Sequence, residues 1–181
     1  ILDFVFYRLT TWLAPILAFT TEEVWLGRFG SVDTSIHLED IPATPTSWIN
    51  QKLATKWVAI RQVRKVVTGA IEVQRQTKAI GSSLEASPSV FISSQELFEQ
   101  IKSIDFAEIC ITSTLDLNLG AISMDMYKLA DIDNVGVIFN RSEGQKCERC
   151  WKYVDRLSHG KEYPSVCERC NQALILRKRI D

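Results

Sequence analysis

The tetrapeptide Cys-Glu-Arg-Cys occurs twice near the end of the chain, at residues 147–150 and 167–170, with sixteen residues between the two copies. Two residues separate the cysteines of each copy, so one tight turn can present both sulfurs to the same ion. Two such turns facing each other complete a tetrahedron without an open position, which is typical of a structural zinc site. The pattern predicts one zinc ion held by all four cysteines, Cys147, Cys150, Cys167 and Cys170.

Four cysteines in two pairs also suit other chemistry. Two disulfides would require an oxidising compartment, and no secretory signal is seen at the start of the chain, so we expect a cytoplasmic protein. A thioredoxin-like site needs a single pair at the start of a helix in a βαβ unit, not two copies in a tail rich in Gly, Pro and charged residues. An iron–sulfur cluster accepts four thiolates as zinc does. We favour zinc, and we expect Cys110 to be a buried apolar side chain and His159 to lie outside the ligand set.

Charge is distributed unevenly along the chain, although the net charge of all 181 residues is only −1. Residues 1–49 carry a net charge of −4, residues 50–80 of +6, residues 81–140 of −7 and residues 141–181 of +4. Local charge steers polyanions more than the total does, so the two basic segments are candidate surfaces for nucleic acid.

No apolar run approaches the roughly 18–20 residues of a membrane helix, and we expect no membrane partner.

The first 29 residues have a helical pattern, with apolar side chains recurring at a period near 3.6 residues. Pro15 lacks a backbone donor and predicts a break in that helix. Thr20 and Glu23 have the spacing of a capping box, which predicts that a second, short helix begins there. Residues 30–47 follow neither the helical nor the strand period, so we expect a loop.

A long helix is predicted from Ser47 to Lys78. Its apolar residues fall on one side of the helical wheel and are Leu53, Ile60, Val63, Val67, Ala70 and Ile71. Its basic residues on the other side are Arg61, Arg64, Lys65 and Arg75. The ordinary interpretation of such a face is solvation. Because Glu72 is the single acidic residue among seven basic ones in this segment, pairing within the helix does not explain the basic face.

Residues 81–140 show a mixed pattern. Runs rich in β-forming residues at 90–92, 107–111 and 135–139 predict strands, and residues 95–101 predict a helix between the first two. The segment is acidic and carries no recognisable site motif. We therefore expect a small α/β subdomain.

The segment around the cysteines is rich in basic side chains, which a rigid zinc hairpin can present to phosphates. The candidate contacts are Lys146, Arg149, Lys152 and Arg169. Trp151 directly follows a cysteine and is expected to cover the hairpin. The alternative is that Trp151 or Tyr153 stacks on a nucleobase.

Three blocks of residues, taken in chain order, point to one family. The first block runs from Leu13-Ala14-Pro15 to Glu22-Glu23-Val24-Trp25. The second begins at Trp57 and continues through Arg64, Arg75 and Lys78 into Ile80–Ala86. The third consists of Gly144-x-Lys146-Cys147-x-Arg149-Cys150-Trp151 and Cys167-x-Arg169-Cys170. Together they resemble the C-terminal region of bacterial-type isoleucyl-tRNA synthetase. The first block is less specific, because related synthetases for valine and leucine share it, and residues 88–140 fit only by length and position.

The resemblance implies the C-terminal part of a large monomeric enzyme that joins isoleucine to its tRNA using ATP. The family's H-x-G-H and K-M-S-K-S signatures do not occur in this sequence. We therefore expect no catalytic residue in residues 1–181, and we expect ATP to bind only in the missing catalytic domain. The implied partner is the isoleucine tRNA, and the expected contacts are Arg61, Arg64, Lys65, Arg75, Lys78, Lys146, Arg149, Lys152 and Arg169.

The predicted fold class is α+β, in three parts. Residues 1–80 are expected to form part of a helical anticodon-binding bundle, residues 81–140 a small α/β subdomain, and residues 141–181 a zinc hairpin with four cysteine ligands.

Two other functions compete with tRNA binding. The cysteine spacing also resembles the zinc hairpin of formamidopyrimidine-type DNA-repair glycosylases, which would bind duplex DNA. A zinc-ribbon module for protein interactions would bind no nucleic acid.

Overall fold

A computed structural model describes residues 1–30, 33–158 and 162–178. The chain divides into two compact units, Ile1–Asn50 and Gln51–Asp181, and each is described by itself. The boundary lies just before the long helix, which therefore belongs to the second unit. The predicted parts 1–80, 81–140 and 141–181 remain a proposal about functional modules.

The first unit consists of two helices and a loop with two 3₁₀ turns. Helix α1 spans Leu2–Leu13 and α2 spans Ala18–Phe29, and the turns are Ile36–Leu38 and Thr46–Trp48. The break at Pro15 is confirmed. The capping box predicted at Thr20 is wrong, because α2 begins two residues earlier, at Ala18.

Aromatic side chains form the core of this unit. The Trp25 ring is buried and lies 4.3 Å from Phe29, 5.6 Å from Tyr7 and 6.5 Å from Phe6, measured between ring centroids. Large apolar side chains outside this core are exposed on the same helices and the turn between them, among them Leu2, Phe4, Ile16 and Phe19. This unit therefore has both a small aromatic core and an extensive exposed apolar surface.

The second unit begins with the long helix α3, which spans Gln51–Gln76. The predicted helix is confirmed, with both ends a few residues shorter than expected. Its buried residues are Ile60, Val63, Val66, Val67, Ala70 and Ile71. Leu53, which was placed on the same face, is half exposed, because it lies near the helix start where the core does not reach.

A four-stranded sheet packs against α3. Its strands are β1 Ser89–Ile92, β2 Asp116–Leu119, β3 Tyr127–Leu129 and β4 Ile132–Ile138, in the order β2-β1-β4-β3. Strands β1 and β2 are parallel, and β4 is antiparallel to both β1 and β3. Val90, Val135 and Val137 point into the same core as the buried face of α3.

Two short helices connect β1 to β2. Helix α4 spans Gln95–Lys102, as predicted, and α5 spans Phe106–Cys110. The strand predicted at residues 107–111 is wrong, because Asp105 Oδ1 accepts the backbone N–H of Glu108 at 3.1 Å and caps a helix there. Cys110 is buried, as expected, but in a helix.

The cysteine-rich segment follows the sheet and is called here the zinc module, residues 141–178. It contains the two-stranded ribbon β5 Gln145–Lys146 and β6 Tyr153–Val154, followed by helix α6 Glu168–Arg177. Cys147, Val166, Cys167 and Cys170 form its small buried cluster. Within the described ranges, none of the helices is long and apolar enough to cross a membrane.

We predict that Gly136→Ala destabilises the second unit. A Cβ atom at Gly136 would lie 2.8 Å from Ile122 Cγ2 and 2.8 Å from Met126 Sδ, so these side chains would have to move. The expected loss is about 1–3 kcal/mol of unfolding free energy, measured by denaturant titration.

The matched control is Gly120→Ala, in the same unit, where a Cβ atom would meet nothing within 4 Å. Its effect on the unfolding free energy should stay below about 1 kcal/mol. Equal stability of the two variants would contradict the close packing over β4.

Candidate metal centre and nucleic-acid surface

The four cysteines of the two Cys-Glu-Arg-Cys segments converge. Their Sγ atoms all lie within 4.8 Å of one another, and the Sγ atoms of Cys150 and Cys167 are 3.7 Å apart. Zn–S bonds of about 2.3 Å in a tetrahedron place sulfurs about 3.8 Å apart. The cluster therefore has the dimensions of a four-thiolate zinc site.

Backbone N–H groups point at the sulfurs, as expected around a metal-bound thiolate. The Cys167 and Cys150 N–H groups donate to Cys147 Sγ at 3.2 and 3.5 Å. Burial opposes ionisation of the Cys147 thiol, but these N–H groups and that of Arg149 lower its pKa to about 6. Burial raises the pKa of Cys167 to about 12. A bound cation would favour the thiolate form of this side chain.

Disulfide bonds do not fit the structure. All five cysteines are free, and the distance of 3.7 Å between Cys150 and Cys167 far exceeds a disulfide bond of about 2.05 Å. Cys110 lies in α5 and is no member of the cluster. His159 lies outside the described residues. The donor set of four thiolates fits structural zinc.

Trp151 does not cover the zinc module, contrary to the sequence-based expectation. Its side chain is 61% exposed, and it is not among the residues packed on the cysteine cluster, which are Val154, Leu157, Tyr163 and Leu174. The backbone explains this orientation, because Trp151 has a φ of 64° and its N–H donates to the Cys147 carbonyl at 2.9 Å. The Lys146 ammonium lies 5.9 Å from the centre of the ring.

The basic residues of α3 differ in their surroundings. Arg61 is exposed and has no ion pair within the described ranges, and Lys78, just after the helix, is likewise exposed and unpaired there. Lys65 pairs with Asp131 at 2.8 Å and Arg75 with Glu72 at 3.1 Å. Arg64 is half-buried rather than on the outer face, because its Nε donates to the Ile109 carbonyl at 2.8 Å.

The basic residues of the zinc module fall into two groups. Lys146 and Arg149 are exposed, and Arg149 Nη1 lies 3.6 Å from Cys170 Sγ. Lys152 and Arg169 instead both donate to one oxygen of Glu108, at 2.8 and 2.7 Å. The hydrogen bond from Lys152 and the two positive charges lower the pKa of Glu108.

The residues that fasten the zinc module to the preceding part of the unit were not predicted from the sequence. Ser113 Oγ accepts the Tyr153 N–H at 2.7 Å and donates to the Leu84 carbonyl at 2.5 Å. Glu85 accepts a hydrogen bond from Arg141 at 3.0 Å and completes a capping box with Ser82. The serine–glutamate spacing at 82–85 was a usable signal for that capping box, whereas nothing local to Ser113 or Glu108 indicates its partners.

We predict that the purified chain carries about one zinc ion and that Cys167→Ala removes it, because three thiolates do not replace the complete set. Metal analysis of both proteins checks this. Cys110→Ala is the control, since it removes a buried cysteine outside the cluster, and it should keep the zinc. Zinc retained in Cys167→Ala, or an iron–sulfur absorption band in the unmodified chain, would contradict the assignment.

Two protein-family models match the chain. Residues 1–90 match the anticodon-binding domain of tRNA ligase, and residues 144–172 match a zinc finger found in FPG and IleRS. The second match contains all four clustered cysteines. The first covers both helices of the first unit, α3 and the turn at Ser83–Glu85.

The similar curated proteins are bacterial isoleucine–tRNA ligases. That of Bartonella henselae is 48% identical over 170 residues, which cover 94% of this chain and 17% of that protein. That of Ruegeria pomeroyi is 45% identical over 177 residues, 96% of this chain and 18% of that protein. The chain thus spans less than a fifth of the length of these relatives. Residues 1–90 thus match the anticodon-binding domain of tRNA ligase and residues 144–172 the zinc finger found in FPG and IleRS, and 94% of the chain is 48% identical to the C-terminal region of a bacterial isoleucine–tRNA ligase.

Proposed function

We propose that the chain is the tRNA-holding region of an isoleucine–tRNA ligase, the enzyme that joins isoleucine to its tRNA using ATP. The match of residues 1–90 with an anticodon-binding domain carries the proposal. In this proposal ATP binds in the catalytic domain, outside residues 1–181, and no residue of this chain takes part in catalysis. The complete enzyme acts in the cytoplasm as a monomer and selects the isoleucine tRNA.

The exposed cations on α3 and just after it are the proposed phosphate contacts. Arg61 and Lys78 are exposed without an ion pair in the described ranges. Lys65 and Arg75 hold exposed ion pairs, which contribute at most about 1 kcal/mol and which phosphate groups can replace. Arg64 contributes positive charge, but its hydrogen bond to Ile109 gives it a structural role as well.

In the zinc module, Lys146 and Arg149 are exposed and are proposed contacts. Arg169 is also exposed, whereas the Lys152 side chain is only 18% exposed and is engaged with Glu108. The zinc ion would hold the two cysteine turns together and so fix the directions of these side chains. Cys147, Cys150, Cys167 and Cys170 would bind it.

Duplex DNA is the second candidate ligand, because the zinc finger family includes FPG as well as IleRS. The anticodon-binding match over residues 1–90 favours tRNA. A zinc module that serves only protein interactions would bind neither nucleic acid.

We predict that the chain binds isoleucine tRNA more tightly than a second tRNA, and both more tightly than duplex DNA. Filter binding at several salt concentrations measures this, because phosphate contacts make the affinity fall with salt. Tighter binding to duplex DNA would favour the glycosylase-like function. Absence of binding to all three at low salt would favour a protein-interaction module.

We also predict that Arg61→Gln weakens tRNA binding and reduces the slope of log K against log salt by about 1. Loss of one phosphate contact has this effect irrespective of sequence. Lys128→Gln is the control, because it removes the same charge from an exposed position on β3. Equal salt slopes for the two variants would remove Arg61 from the contact surface.

A further inference from the structure

One carboxylate oxygen, on Glu108 of α5, connects both Cys-Glu-Arg-Cys turns, residues 147–150 and 167–170, to the α/β subdomain. Glu108 Oε1 accepts a hydrogen bond from Lys152 Nζ at 2.8 Å and another from Arg169 Nη1 at 2.7 Å. Lys152 lies two residues after Cys150, and Arg169 lies next to Cys170. A single side chain of α5 therefore holds the first and the second cysteine turn at once.

Helix α5, which carries this carboxylate, is anchored in the core of the second unit. Its buried residues Phe106 and Cys110 belong to the same core as α3. Arg64, from α3, donates to the Ile109 carbonyl at 2.8 Å, next to Glu108 in sequence. The contacts thus form a continuous path from the basic helix α3, through α5 and Glu108, to the zinc module.

The three charged side chains are unequally exposed. The exposed fractions are 18% for Lys152, 45% for Glu108 and 64% for Arg169. An ion pair that is shielded from water is screened less than one on the open surface. The Glu108–Lys152 pair is therefore less screened by salt than the Glu108–Arg169 pair, and Arg169 adds a second contact to the same carboxylate.

We propose that Glu108 is a positioning residue for RNA binding: it fixes the zinc module relative to α3, so that the basic side chains of both meet one polyanion in a defined arrangement. This inference rests on the proposed tRNA-binding function. Glu108 is negatively charged, so it is not itself proposed as a phosphate contact. It acts through Lys152 and Arg169, whose orientation it sets.

The direction in which tRNA affinity changes when Glu108 is replaced distinguishes a positioning role from a purely electrostatic effect. Replacing Glu108 with Gln removes a negative charge near two basic residues, and charge alone predicts tighter binding of tRNA. A positioning role predicts weaker binding, because Gln keeps an oxygen acceptor but neither ion pair, so the zinc module is oriented less firmly even though its contacts with Ser113 and Glu85 remain.

The test compares Glu108→Gln with Glu96→Gln in the 181-residue chain. Glu96 lies on α4, and its carboxylate contacts Gln100. We expect Glu108→Gln to bind isoleucine tRNA about 3- to 10-fold more weakly, with its zinc content unchanged. Glu96→Gln should bind as the unmodified chain does. Equal or tighter binding by Glu108→Gln would overturn the proposal.

Amide hydrogen exchange tests, without RNA, whether Glu108 holds the zinc module in place. The Tyr153 N–H donates to Ser113 Oγ across the junction, so its exchange should become faster in Glu108→Gln, while the amides of α3 keep their rates. An unchanged Tyr153 rate would overturn the proposal. If the unmodified chain binds no tRNA at any salt concentration, the proposed function fails, and this exchange rate alone decides whether Glu108 holds the module.

Discussion

The packing of the apolar face of α3 against the sheet is the contact on which the second unit depends. Val63, Val66 and Val67 of α3 and Val135 of β4 have no exposed surface, and all lie in one core. Each such side chain contributes about 1.5–3 kcal/mol when fully buried. Because this face points inward, most of the remaining positions of the helix are exposed or, like Arg64, half-buried, and most of their residues are polar or basic.

The sequence predicts well those features that depend on short spacing. The two cysteine pairs identify the metal ligands because a C-x-x-C turn is a local structure, and the 3.6-residue period identifies α1, α2 and α3. Short elements with little period are harder to predict. The β-rich composition at 107–111 suggested a strand, yet a cap at Asp105 makes a helix of it, and β2 and β3 are too short to show an alternation.

The candidate site shows the same limit. Spacing identifies which cysteines meet, but it does not identify what the neighbouring charges touch. The sequence indicates no partner for Lys152 or Arg169, whereas in the structure both donate to Glu108, 44 and 61 residues away. Likewise, a helical wheel places Arg64 outward, and only the approach of α5 turns its guanidinium to a backbone carbonyl. Tertiary contacts of this kind carry no local signature.

The parts of the core of the second unit are synthesised at different times. Helix α3 ends at Gln76, but β4, which lies between β1 and β3 in the sheet, begins only at Ile132. At a synthesis rate of about 5–20 residues per second, the valine face of α3 leaves the ribosome seconds before its partner strand exists. During that interval the valine face of α3 is not yet covered by β4, and exposed apolar surface of this kind promotes aggregation of incompletely synthesised chains. The basic side chains of the same helix oppose it, because like charges repel one another.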